Sequence, residues 1–222
     1  MYNSMVVSID ADIQRDVLEE LRWEPRLQPN EIGVAVRDGV VTLTGYVDSY
    51  AKKIAAEQAA FRVHGVKAVA NDIQVRLPGM SERTDTDLAR AAREALQWNV
   101  LVPSDQVKVT VTNGWITLEG EVEYAYQKME AERAVRHLAG VKGVSNLIIV
   151  KPRVAPEHLK EDIERALVRN AQTDARNIQV EVDGRRVILR GRVSSYAEKK
   201  AAEQTAWAQP GVTEVENNII IG

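Results

Sequence analysis

Glycine and asparagine recur along this chain in a fixed register, and that register dictates its architecture. Gly45, Gly120 and Gly191 each open a segment that closes twenty residues later at Gly65, Gly140 and Gly211. Each closing glycine is followed by a valine (Val66, Val141, Val212) and, six residues on, by Asn71, Asn146 or Asn217. The copies start 75 and then 71 residues apart, which is too long for a solenoid repeat and suits a small domain. The 222 residues therefore divide into three modules, at 10–77, 85–151 and 156–222. Three similar surfaces on one chain fit a binding role better than a single catalytic pocket does. Modules this small are marginal alone, so packing between them within the chain is expected.

Each module reads α-β-β-α-β. Ile13, Val17 and Leu21 line one helical face, as do Leu88, Ala92 and Leu96, and Leu159, Ile163 and Leu167. Asp10 and Asp85 are expected to cap the first two helices, with Pro156 opening the third and Pro25 and Pro103 stopping the first two. Alternating Ile32, Val34, Val36, and their counterparts Val107, Val109, Val111 and Ile178, Val180, Val182, predict half-buried strands. Asp38-Gly39, Asn113-Gly114 and Asp183-Gly184 predict tight hairpins, with one extra residue in the third. The return strands carry Gly45, Gly120 and Gly191 on their inward face, which suggests that an Ala-rich helix lies close above them. Gly65, Gly140 and Gly211 are expected to cap those helices. A last strand follows. The fold class is α+β: three tandem modules, each a three-stranded sheet with two helices on one face.

Composition closes several routes. There is no cysteine, so disulfides, thiolate metal sites and cysteine nucleophiles are absent together. Net charge is only −3 and is spread evenly, which argues against a nucleic-acid partner. No run approaches the ~18 apolar residues of a membrane span, and the first residues lack the basic and apolar regions of a secretion signal. The expected location is the cytoplasm, peripheral at the inner membrane, or the periplasm if a signal segment was removed.

The candidate surfaces follow from strand parity. The sheet face away from the helices is polar in module one. It carries Trp115, Leu147 and Ile149 in module two, and Ile188 and Ile220 in module three. Apolar residues there need a partner, either another module or a docking protein or lipid. Module three adds Arg185, Arg186, Arg190 and Arg192 around its hairpin, with Lys199 and Lys200 beyond, as a candidate site for anionic lipid; the alternative is a solvated strand face paired with acids. Lys53/Glu57, Lys128/Glu132 and Lys199/Glu203 recur at helical spacing as surface pairs. Asn71, Asn146 and Asn217 share the parity of buried valines, so their amides are expected to fasten the chain before the last strand. His64, His137 and His158 form no pair within a module, so no metal, cofactor or catalytic set is expected. Gly140-Val141-Lys142-Gly143 is similar to an RNA-binding Gly-x-x-Gly clamp, but modules one and three lack it.

The Asp-Gly-x-x-x-Leu-x-Gly-x-Val strand, the Ala-Glu pairs (Ala56-Glu57, Ala131-Glu132, Ala202-Glu203) and the Gly-Val-x-x-Val-x-Asn segments together resemble the BON domain, named for bacterial osmotically inducible and nodulation proteins. The resemblance covers nearly the whole chain. It implies a non-enzymatic domain of stress-response and envelope-associated proteins, with phospholipid surfaces as the proposed target. Chaperone-like binding of protein clients is the second reading it implies, and potassium-responsive ion binding the third.

Overall fold

The computed structural model describes residues 2–28, 31–79, 83–151, 158–170 and 175–222, with residues 2–8 described in their backbone only. Two compact units result. One holds residues 1–80 with 194–197 and 221–222; the other holds residues 81–193 and 198–220. Module one comprises α1 (Tyr2–Trp23), β1 (Ile32–Arg37), β2 (Val40–Val47), α2 (Tyr50–Arg62), β3 (Ala68–Asn71) and β4 (Gln74–Val75). Module two comprises α3 (Asp85–Trp98), β5 (Val107–Thr112), β6 (Trp115–Val122), α4 (Ala125–Val135), β7 (Gly143–Asn146) and β8 (Ile149–Val150). Module three comprises α5 (Leu159–Arg169), β9 (Ile178–Asp183), β10 (Arg186–Val193), α6 (Tyr196–Trp207) and β11 (Glu214–Ile221).

The expected α+β order is present in all three. The return strand is central: the sheets run β1-β2-β3, β5-β6-β7 and β11-β10-β9, with β4 and β8 continuing along β2 and β6. In module one the helix stripe of Val17 and Leu21 meets Val41, Leu43 and Ile73 of the sheet, all fully buried. Ala55, Ala56, Ala59 and Ala60 are also fully buried on α2. A face of methyl groups leaves little between helix and sheet, so the helix backbone packs closely.

Several local expectations change. The marker glycines of the return strands do not make room for a helix. Gly45, Gly120 and Gly191 have φ of 116°, 142° and 134°. A Cβ at each would stand 1.9–2.0 Å from the carbonyl oxygen of Glu31, Gln106 or Asn177, where the chain enters the first strand. The second marker glycines do not cap helices either. α2 ends at Arg62 with Val63 as its cap, and Gly65 follows in a turn at φ 85°, where a Cβ would stand 3.0 Å from Ile13 Cδ1.

The third hairpin has no extra residue. Arg37 pairs with Val40, Thr112 with Trp115 and Asp183 with Arg186, so all three loops hold two residues. Only the sequence shifts: Gly184 takes the place held by Asp38 and Asn113, which adopt positive φ in modules one and two.

The helix starts differ as well. α1 begins eight residues before Asp10, and Thr84, not Asp85, caps α3. Each aspartate is used elsewhere. Asp10 accepts from the backbone N–H groups of Asp38 (2.8 Å) and Gly39 (3.0 Å), and Asp85 does the same for Asn113 (2.7 Å) and Gly114 (2.9 Å). A carboxylate on the first helix thus clamps the hairpin turn. The corresponding position in module three, Pro156, lies outside the described residues. Pro25 lies two residues past the end of α1, whereas α3 stops at Trp98, well ahead of Pro103, which instead leads a single 3-10 turn.

Module one also buries a carboxylate. Glu24 is 7% exposed and accepts from Arg26 Nε (2.7 Å) and Nη2 (2.9 Å), with Arg62 Nη2 at 3.5 Å. The Arg26 hydrogen bonds hold its pKa down from 4.5 to about 2, against the opposing cost of burial. A depressed carboxylate stabilises the fold fully above its ordinary value, and that contribution is lost as pH falls through about 2. Glu24→Gln is expected to cost about 1–2 kcal/mol near neutral pH, the low end because Arg26 faces solvent, and close to nothing near pH ~2. Urea titrations at the two pH values measure this; an equal deficit at both would refute the account.

Candidate functional site

The recurrent asparagine and glutamate form one device. Asn71 Nδ2 donates to the Lys53 carbonyl (3.1 Å) and to Glu57 Oε2 (3.0 Å), while its Oδ1 accepts from the Ile73 N–H (3.4 Å). Asn146 repeats this with Lys128, Glu132 and Ile148, and Asn217 with Lys199, Glu203 and Ile219. The amide ties the second helix to the point where the last strand breaks into β3 and β4, or β7 and β8. The glutamate therefore faces inward to the asparagine instead of serving only as a surface partner of the preceding lysine. Burial lowers the Lys128 pKa below the ordinary lysine value, with Glu132 acting in the opposite direction.

The basic residues of module three are largely neutralised. Arg186 pairs with Glu216 and with Glu214 (3.4 Å), and Arg190 Nη1 lies 2.6 Å from Glu181. Lys200 lies 3.0 Å from Glu203 and Lys199 gives its carbonyl to Asn217. The Arg185 carbonyl holds the Thr213 N–H at 3.0 Å. Arg192 is exposed and has no ion pair among the described residues. The strand face therefore alternates charge, and its field on an anionic surface is weak.

The outer sheet face of module two is more distinct. Trp115, Leu147 and Ile149 are 48–60% exposed. Trp115 is held flat: its indole N–H donates to Ser145 Oγ at 2.9 Å, and a Cβ on Gly143 would stand 2.4 Å from the ring. The second glycine of the Gly-x-x-Gly tetrad thus seats a tryptophan. In module three Ile220 is exposed and Ile188 half-buried. Tyr124 and Tyr126 stack on each other at 5.6 Å, and Tyr196 stacks on Phe61 at 3.8 Å.

One group was missed in the sequence. Trp98 is 86% exposed and Val100 96%, with Leu101 beside them half exposed, all at the end of α3. Trp23 is equally bare at the matching place in α1. The signal was present: each tryptophan lies two residues past the last buried leucine, Leu21 or Leu96, and so falls off the apolar stripe.

His64, His137 and His158 are all exposed, and among the described residues no group of three or more His, Cys, Asp or Glu is placed to hold a metal. Among those residues no helix is long and apolar enough to cross a membrane.

These features define a class: a tandem array of small α+β modules, each knotted by one half-buried asparagine and presenting one open sheet face. The chain belongs to the BON domain family, whose model matches residues 9–76, 84–152 and 157–222. It is 32% identical over 143 residues to osmotically-inducible protein Y of Escherichia coli (strain K12), an alignment covering 62% of this chain and 70% of that protein. Among solved structures, the C-terminal domain of CdsD, a structural protein of the type III secretion system of Chlamydia trachomatis, aligns over 95% of this chain and 98% of its own at 14% identity and a TM-score of 0.26. A second CdsD structure aligns over 95% of this chain and 92% of its own, at 15% identity and the same TM-score. Likeness that low carries no argument about role.

Proposed function

We propose that this chain is a non-enzymatic protein of the osmotic-stress response that binds phospholipid surfaces. Its family and its relative's name support the stress setting. The observation that carries the binding reading is the nearly bare pair Trp98 and Val100, with half-exposed Leu101 beside them, at the end of α3. Tryptophan beside aliphatic side chains favours the boundary between headgroups and acyl chains. With Arg186 and Arg190 of module three paired to acids, apolar insertion supplies the affinity and salt matters little.

Flotation with zwitterionic and anionic vesicles across a salt series tests this. Both vesicle types are expected to carry the protein. The double change Trp98→Ser, Val100→Ser is expected to weaken flotation by about tenfold or more without lowering the melting temperature, because these two side chains are already almost wholly in water. Changing Arg186, Arg190 and Arg192 to Ser is expected to weaken it by less than about threefold. No flotation of the unaltered chain would end the membrane reading.

A second reading, binding of protein clients, is favoured by the fixed Trp115 with Leu147 and Ile149, since a pre-oriented indole loses little freedom on docking. Suppression of client aggregation that requires Trp115 and ignores vesicles would favour it.

A further inference from the structure

A groove of about 700 Å³ lies in module two between α3 and the edge strand β5. Its counterpart in module one is closed by a side chain. Gln14 of α1 reaches across and its Nε2 donates to the Val34 carbonyl at 2.7 Å. That bond shows that the Val34 backbone points outward from the sheet. Val34 pairs with Leu43 as Val109 pairs with Leu118, so Val109 points outward too, as do Val107 and Val111 two residues to either side. The residue 75 positions after Gln14 is Ala89, which lines the groove. A methyl group does not reach the strand. Among the described residues no other hydrogen bond meets the outward groups of Val109.

The groove is also charged. Arg90 and Arg93 on α3 and Lys108 on β5 line it, against the single carboxylate of Asp105, while Leu96 forms an apolar floor. Arg90 is tied to Asp87 at 3.3 Å, but Arg93 and Lys108 are exposed and have no ion pair among the described residues. A bare strand edge guarded by a lysine discourages pairing with basic or neutral strands and admits an acidic one.

We propose that this groove takes an extended, acidic segment of another protein, which adds to the sheet as a strand beside β5. Its backbone bonds to Val109 and Val111 and donates to the Val107 carbonyl, the Val107 N–H being already given to Ser104, and its carboxylates meet Arg93 and Lys108. Main-chain pairing supplies the affinity and the charges supply the selectivity. Modules one and three do not offer the same site: Gln14 closes the first, and the residue matching Ala89 in the third is Lys160.

Displayed random peptides of about twelve residues, long enough to cover the strand, are selected on the full chain. They are then measured against Ala89→Gln, which installs the side chain that closes module one. The selected peptides are expected to be rich in acidic residues at both parities of the strand and to bind Ala89→Gln about tenfold more weakly. They are expected to slow amide exchange at Val109. An unchanged melting temperature shows that Ala89→Gln folds. If it does not, the paired reversal Arg93→Glu, Lys108→Glu, at two exposed positions, gives the same reading. Failure to select any peptide, or selected peptides that bind both variants as tightly as the unaltered chain, would overturn the proposal. Neither outcome depends on vesicles, so the membrane reading stands or falls separately.

Discussion

Gly120→Ala is expected to unfold module two. The new Cβ would stand 2.0 Å from the Gln106 carbonyl oxygen, at a φ of 142° that side-chain-bearing residues avoid. Neither party yields cheaply. The oxygen belongs to backbone leading into β5, and β6 is held on both sides by β5 and β7. Relief requires moving a strand, at a cost on the order of 4 kcal/mol or more. A module of this size holds roughly that much stability in total. Amide spectra should lose the dispersed signals of module two. The control is Gly79→Ala, where a Cβ meets nothing within 4 Å and no change is expected. A Gly120→Ala chain as stable as the Gly79→Ala chain would show that the close approach is not what the glycine is for.

Asn146→Asp is expected to be the next most damaging change, and the damage should depend on pH. The shape is kept while the donor is lost. An acceptor then faces the Lys128 carbonyl, at 2.8 Å from the position of Nδ2, and Glu132 Oε2, at 3.3 Å. Two carboxylates and a carbonyl without a shared proton cost about 3 kcal/mol in a half-buried site. The introduced carboxyl has its pKa raised on folding, so the native state binds the proton more tightly than the unfolded chain. Stability is therefore best below the ordinary aspartate range near ~4 and falls as pH rises through the raised value. Melting temperatures across that range measure it. A deficit that does not shrink in acid would mean that the Glu132 contact contributes little.

How much was legible in the sequence differs residue by residue, with a physical pattern. Ile13, Val17 and Leu21 were readable because burial on a helix repeats every turn, and Val41 and Leu43 because it alternates on a strand. The asparagine's place beside buried valines pointed to a fastening role, but not to Glu57 as its partner, since fourteen residues and a helix separate them. Trp98 lies outside the buried stripe of Leu88, Ala92 and Leu96, so helical periodicity assigns it no place. For the module-three arginines the sequence left a lipid site and an acid-paired strand face both open, because Glu181, Glu214 and Glu216, which pair with Arg186 and Arg190, sit on neighbouring strands.

The sequence by itself determined the number of modules, the α+β order, the inward residues and the family, because repetition and periodicity are properties of the chain read along its length. Only the tertiary structure decided why the marker glycines are glycine, what Asp10 and Asp85 hold, and which charges remain free. It also showed that Ala89 leaves open an edge that Gln14 closes. Each of these depends on atoms brought together from elements far apart in sequence, and a one-dimensional pattern carries no record of that distance.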